Sequence, residues 1–194
     1  MNNLSDQELI TALQKGNEQA IDILFRRHYS FVCQAVYRIL KDGNTAEDIA
    51  QEVFFGLWKK RETLNITLSV KAYLKRTAVN KSLNFIRDQK IKFDDKEEQL
   101  PILTSNQSTT QQELEAEDLQ KKIDEAIDSL PEKCRLVFTL SRFEEMTYQE
   151  IADHLGISIK TVENQISKAL RVLRVQLGQF LSVGLLLILI QATY

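Results

Sequence analysis

Residues 147–174, TYQEIADHLGISIKTVENQISKALRVLR, decide the fold. Thr147 and Glu150 have the spacing of a capping box, in which each side chain accepts a hydrogen bond from the other's backbone N–H across the first helical turn. The helix so started, Tyr148 to Leu155, stops at Gly156, a residue type that enters the left-handed conformation without steric cost. Ser158 then caps a second helix only two residues later. Helix, tight turn and helix at this spacing form the supersecondary unit that lays a helix in the major groove of DNA. Ile151, Leu155, Ile157 and Val162 fall where the two helices must touch, and Ala152 is small where they cross.

At about 100° per residue, Val162, Ile166, Ala169, Leu170 and Leu173 share one face of the second helix. Opposite them lie Lys160, Thr161, Asn164, Ser167, Lys168 and Arg171, with Ser158 at the start. Asn pairs bidentately with adenine, Lys meets guanine or phosphate, and Thr meets a thymine methyl or a phosphate. Any solvated helix is polar on its outer face, so the adjoining turn is what favours DNA reading. Glu163 and Gln165 sit at the edges, and Glu163 either accepts from cytosine N4 or repels phosphate.

Working outward, the whole chain of 194 residues is 43% hydrophobic, with six Gly and two Pro. That composition with almost no strand-like alternation predicts an all-α protein of two small helical domains. The formal net charge of -2 argues against nucleic-acid binding only as an average. Residues 71–92 hold Lys71, Lys75, Arg76, Lys81, Arg87, Lys90 and Lys92 against Asp88 alone, whereas residues 94–128 are strongly acidic. Steering depends on the local field, so a basic block can meet DNA while an acidic one is held away. Cys33 and Cys134 are far apart, next to apolar residues and without metal spacing, and are expected as buried, reduced thiols. The start, MNNLSDQELI, lacks the layout of a signal peptide, and a cytoplasmic protein is expected.

Ser5 and Glu8, with Leu4 and Leu9 beside them, predict a first helix ending near Gly16. Ile21, Leu24, Phe25, Val32, Ala35, Val36 and Ile39 keep a helical period up to a turn at Asp42-Gly43. Asn44 with Glu47, or Thr45 with Asp48, offers the cap of a third helix to about Lys60, and a fourth spans roughly Val70 to Lys92. The domains are predicted as 1–93, a polar linker over 94–112, a second helical block over 113–177 and an apolar tail over 178–194.

On the third helix Ala46, Ile49, Ala50, Val53 and Leu57 face inward; Asp48, Gln51, Glu52, Phe55 and Lys59 face outward, with Glu47 and Trp58 at the margin. Large aromatics within an acidic rim fit a protein interface, although Trp58 could equally pack sideways. The fourth helix interleaves Tyr73 and Phe85 with bases and with Asn80 and Asn84, the mixture of rings, cations and amides that single-stranded DNA binding needs. Leu74, Ala78, Leu83 and Ile86 are predicted core.

AEDIAQEVFFGLWKK at 46–60, KAYLKRTAVNKSLNFIR at 71–87 and the segment from Leu130 to Arg174 together resemble the extracytoplasmic-function sigma factors of the sigma-70 family. The resemblance runs from about Leu4 to Arg174. It implies that the 46–60 helix docks on the beta-prime clamp helices of core RNA polymerase through Asp48, Gln51, Glu52, Phe55 and Trp58. It also implies that the 71–87 helix, with the loop Glu62–Ser69, opens the minus-ten promoter element and holds a flipped base, through Lys71, Tyr73, Lys75, Arg76, Asn80, Lys81, Asn84 and Arg87. The 158–174 helix would read the minus-thirty-five element through Ser158, Lys160, Thr161, Glu163, Asn164, Ser167, Lys168 and Arg171, and the acidic linker would thread towards the polymerase channels. Tyr73 stands where the family usually has Trp, Val79 where Arg is common and Asn84 where Asp is common. Glu163-Asn164-Gln165 replaces a more basic stretch.

The tail, with FLSVGLLLILI at 180–190, is expected to pack on the second domain, on an inhibitory anti-sigma partner or on a membrane surface. Two other functions remain to be distinguished. A helix-turn-helix regulator binding duplex DNA as a dimer would need neither the Phe55 and Trp58 face nor the basic, aromatic block. An enzyme is least expected, because His28 and His154 lack a partnered nucleophile or metal set. No cofactor or metal is expected.

Overall fold

The computed structural model describes residues 4–66, 69–89 and 116–178, with the backbone alone for 116–119. These residues form α-helices and one 3-10 turn, in two compact units within 1–91 and 92–194. The linker expected over 94–112 and the tail beyond Gly178 lie outside the described residues.

In the first unit α1 spans Asp6–Gln14, α2 Glu18–Leu40, α3 Gly43–Lys59 and α4 Val70–Asp88, with the 3-10 turn Arg61–Thr63 after α3. The expected capping box starts α1: Ser5 Oγ accepts from the Glu8 amide and Glu8 Oε2 accepts from the Ser5 amide at 2.7 Å. α2 packs against α1, α3 and α4, and α3 packs on α4. Leu9, Leu13, Leu24, Val32, Val36, Val53, Leu57 and Leu74 are sealed from solvent between them. Each such side chain stabilises the fold by about 1.5–3 kcal/mol. Phe54, which the helical projection left out of the core, is buried with its ring 5.0 Å from Phe25, which in turn stacks on Tyr29.

The turn between α2 and α3 falls earlier than expected. Lys41, one residue before the expected Asp42-Gly43 turn, takes the left-handed conformation at φ 57°, and Asp42 caps α3 by accepting from the Thr45 amide at 2.7 Å. Asp42 satisfies an orphan amide of the first turn, so α3 opens at Gly43 and the caps expected at Asn44 or Thr45 are not used. Hydrogen bonding from the Thr45 side chain, and then from its backbone amide, holds the Asp42 carboxyl below its usual pKa. A second correction concerns Cys33, which is half-buried rather than buried; burial is still the main force pushing its thiol pKa up.

In the second unit α5 spans Ala116–Asp128, α6 Glu132–Arg142, α7 Tyr148–Leu155 and α8 Ile159–Leu177. α8 is the hub, packed by α5, α6 and α7. Contact from several sides widens its apolar stripe beyond one narrow face. Val172 and Leu177 are buried along with Val162, Ile166, Ala169 and Leu173, while the expected Leu170 is only half-buried. Ile151 and Ala152 of α7 are buried as expected, whereas Leu155 and Ile157 are half-buried. Among the described residues no helix is long and apolar enough to cross a membrane.

Candidate nucleic-acid and partner interfaces

Three surfaces bear the sequence-predicted residues, two on the first unit and one on the second. On α3, the core set Ala46, Ile49, Ala50, Val53, Phe54 and Leu57 leaves Asp48, Gln51, Glu52 and Phe55 facing solvent. Phe55 is 67% exposed, a large apolar ring standing free within a charged rim. Trp58 is half-buried against the core cluster, and the Arg61 guanidinium lies 4.4 Å from its ring. Arg61 Nη1 also donates to the Trp58 carbonyl at 3.1 Å, which fixes that stack from the 3-10 turn. The outward apolar group of α3 is therefore Phe55, with Trp58 presenting only an edge.

On α4, Ser69 caps the helix by accepting from the Ala72 amide at 3.1 Å. Val70, Leu74, Ala78, Val79, Ser82, Leu83 and Ile86 turn inward, and Ser82 satisfies its buried hydroxyl on the Ala78 carbonyl. Lys71, Arg76, Asn80, Asn84 and Arg87 are exposed; Tyr73, Lys75 and Lys81 are half-buried. Tyr73, Arg76 and Asn80 recur at i, i+3 and i+7, which sets them on one stripe, with Tyr73 half-buried against the core cluster and the other two exposed. There they line a cleft of about 350 Å³ with Asn65, Ile66 and Thr77.

The predicted set does not act as one group. Lys71 Nζ lies 4.5 Å from the Phe31 ring, and Lys81 Nζ pairs with Glu52 Oε2 of α3 at 2.6 Å. Asn84 and Arg87 lie further along α4, outside the cleft lining. Sequence reasoning missed Asn65 and Thr77 as individual residues. Thr77 shares the Tyr73 stripe at i+4 and was open to the same projection. Asn65 lies in a loop, where no period locates a side chain.

On α7 and α8, both expected signals are in place. Thr147 and Glu150 form the capping box, and Gly156 takes φ 65° with its N–H donated to the Ala152 carbonyl. Ser158 caps α8 by accepting from the Thr161 amide at 3.0 Å, and its hydroxyl lies 2.9 Å from that of Thr161. Both hydroxyls thus hold the helix start as well as facing outward. Lys160, Asn164, Ser167 and Arg171 are exposed; Thr161, Glu163 and Lys168 are half-buried. The Glu163 carboxylate pairs with Lys160 at 3.1 Å, so these opposite charges cancel on the first turns of α8. Gln165 is turned towards α6, where it accepts from the Cys134 thiol at 2.9 Å.

Residues 24–91 match the family model "Sigma-70 region 2", and residues 120–173 match "Sigma-70, region 4". The RNA polymerase sigma-H factor of Pseudomonas aeruginosa is 26% identical over 84% of this chain and 89% of its own length. The ECF RNA polymerase sigma-E factor of Escherichia coli is 26% identical over 86% of this chain and 91% of its own. That of Haemophilus influenzae is 25% identical over 86% and 92%. Among solved structures, CnrH in complex with the cytosolic domain of CnrY covers 90% of this chain and 97% of its own, at 22% identity and a TM-score of 0.47. The sigma factor RpoE of Bartonella quintana, in complex with the anti-sigma factor NepR, covers 79% of this chain and 94% of its own, at 19% identity and a TM-score of 0.44. With region 2 and region 4 matched in the expected order over more than half of its length, the chain belongs to the sigma-70 family, in its extracytoplasmic-function group.

Proposed function

We propose that this chain directs core RNA polymerase to specific promoters and helps open them, with three surfaces dividing the work. The α3 face, through Asp48, Gln51, Glu52, Phe55 and the Trp58 edge, docks on the beta-prime clamp helices of the polymerase. A single exposed aromatic inside a charged rim is the form of an interface hot spot, whose loss costs about 2 kcal/mol or more. The cleft on α4 takes one unstacked base of the minus-ten element. Its volume of about 350 Å³ is at the small end of ligand sites, about 300–1,000 Å³. Tyr73 offers a ring to stack on, Asn80 and Asn65 offer amides to a base edge, and Arg76 offers its charge to the backbone. Lys71, Lys75, Lys81, Asn84 and Arg87 attract the neighbouring phosphates and bases. α8 reads the duplex minus-thirty-five element, with Asn164 and Ser167 towards base edges and Lys168 and Arg171 towards phosphates.

The observation that carries this reading is the convergence of Tyr73, Arg76 and Asn80 on one cleft, in the same unit as the free Phe55 ring. A dimeric helix-turn-helix regulator would need neither. The domains follow as 1–93 for polymerase and minus-ten contacts, 94–112 as an acidic linker towards the polymerase channels, and 113–177 for the minus-thirty-five contact. The chain works in the cytoplasm, where polymerase and DNA are, and supplies no catalysis of its own. An anti-sigma factor would cover the exposed Phe55 face when core enzyme is absent, with the apolar tail 178–194 as a further contact.

Retention on immobilised core RNA polymerase tests the docking face. The full chain should be retained, and Phe55→Ala should weaken retention by about 30-fold, the ratio for 2 kcal/mol. Equal retention of the two would remove α3 from the interface.

A further inference from the structure

Ile159, the first residue of α8, is 41% exposed, one of the few large apolar side chains left in solvent among the described residues. Its neighbours on the first turns have been satisfied locally. Ser158 and Thr161 cap the helix and face each other, and Lys160 is neutralised by Glu163. The uncommitted cations of α8, Lys168, Arg171 and Arg174, come later. A recognition helix enters the groove with its N-terminal residues nearest the base edges. Here that end offers cancelled charge and an exposed hydrocarbon, which suits the one apolar group in the major groove, the 5-methyl of thymine.

We infer that Ile159 is a specificity-determining residue that reads a thymine methyl at one position of the duplex element bound by α8. The inference rests on the proposal that α8 reads duplex DNA, and it adds a base identity to it. An isoleucine here contributes nothing to binding until a methyl group covers it; contact then removes apolar surface from water on both partners. Because Ile159 is 41% exposed and outside the buried set of α8, its removal leaves the helix-turn-helix standing. Alanine also forms helix more readily than isoleucine.

The test uses the full chain with core RNA polymerase. A randomised duplex library first defines the bound element, and each thymine in it is then replaced by deoxyuridine, which deletes only the methyl. For the wild-type chain, one replacement should weaken binding by about fourfold, the ratio for burying one methylene-sized group. For Ile159→Ala that same replacement should have no effect, with an unchanged melting temperature confirming the fold. An element without thymine, or an equal uridine effect in both proteins, overturns the inference. Lys168→Ala and Arg171→Ala separate this failure from that of the underlying reading. If they weaken binding across all sequences while Ile159→Ala leaves the uridine effect untouched, α8 reads DNA without the methyl contact. If they change nothing, α8 is not the duplex reader and the inference falls with it.

Discussion

α4 and α8 are helices of 19 residues each, both studded with asparagine and cations on the outer face, yet they present opposite shapes. α4 runs beside a loop, and Tyr73, Arg76 and Asn80 meet Asn65 and Ile66 in a cleft. The outer face of α8 carries Asn164 and Ser167 between the cations Lys160, Lys168 and Arg171, with Ile159 at its tip. A recess with an aromatic wall suits a base already out of the stack, and an outward helix face of amides, hydroxyls and cations suits a groove with its bases still paired. Composition alone does not distinguish the two modes; what lies beside each helix does.

The largest expected break in this contrast comes from emptying the cleft. Tyr73→Ala with Asn80→Ala should weaken binding of the polymerase complex to a pre-opened minus-ten bubble by about 1–3 kcal/mol per base held. Affinity for the duplex minus-thirty-five element should not change. A parallel loss on both templates would mean that the cleft only supports the fold. Next in size, Asn164→Ala should cost about 1–3 kcal/mol at one base pair of the duplex element and leave bubble binding intact. A loss spread evenly over all sequences would place Asn164 on a phosphate instead.

The smallest effect sharpens another difference, between an ionised cap in the first unit and a neutral one in the second. α3 begins on the Asp42 carboxylate and α8 on the Ser158 hydroxyl. The Thr45 hydrogen bond lowers the Asp42 pKa in the folded chain. Such a group stabilises fully above its unfolded pKa of about 3.9, and its contribution is lost as pH falls through the lower folded value. The Thr45 amide resonance should therefore titrate with a midpoint below about 3.9, and Asp42→Asn should abolish the transition while still capping. A midpoint at or above the ordinary aspartate value would contradict the cap.

What the sequence revealed and what it hid divide along the range of the forces involved. The caps at Ser5, Thr147 and Ser158 and the turn at Gly156 were legible because each hydrogen bond closes within four residues. The start of α3 was not. Asp42, Asn44 and Thr45 are all able to cap, and the choice fell with Lys41 in the left-handed conformation. On α8 the stripe Val162, Ile166, Ala169 was legible by period, but Val172 and Leu177 are buried where several helices enclose α8, which periodicity on one helix does not disclose. The same limit applies to the candidate site. The rings, cations and amides of α4 announced its chemistry, whereas the loop partner Asn65 and the diversion of Lys81 to Glu52 depend on tertiary placement.

Run-off transcription with core RNA polymerase on a promoter library tests the central claim most directly. The full chain should produce transcripts from a discrete set of start sites that share upstream duplex and minus-ten sequences, and core enzyme alone should not. Absence of any chain-dependent start site would contradict the account.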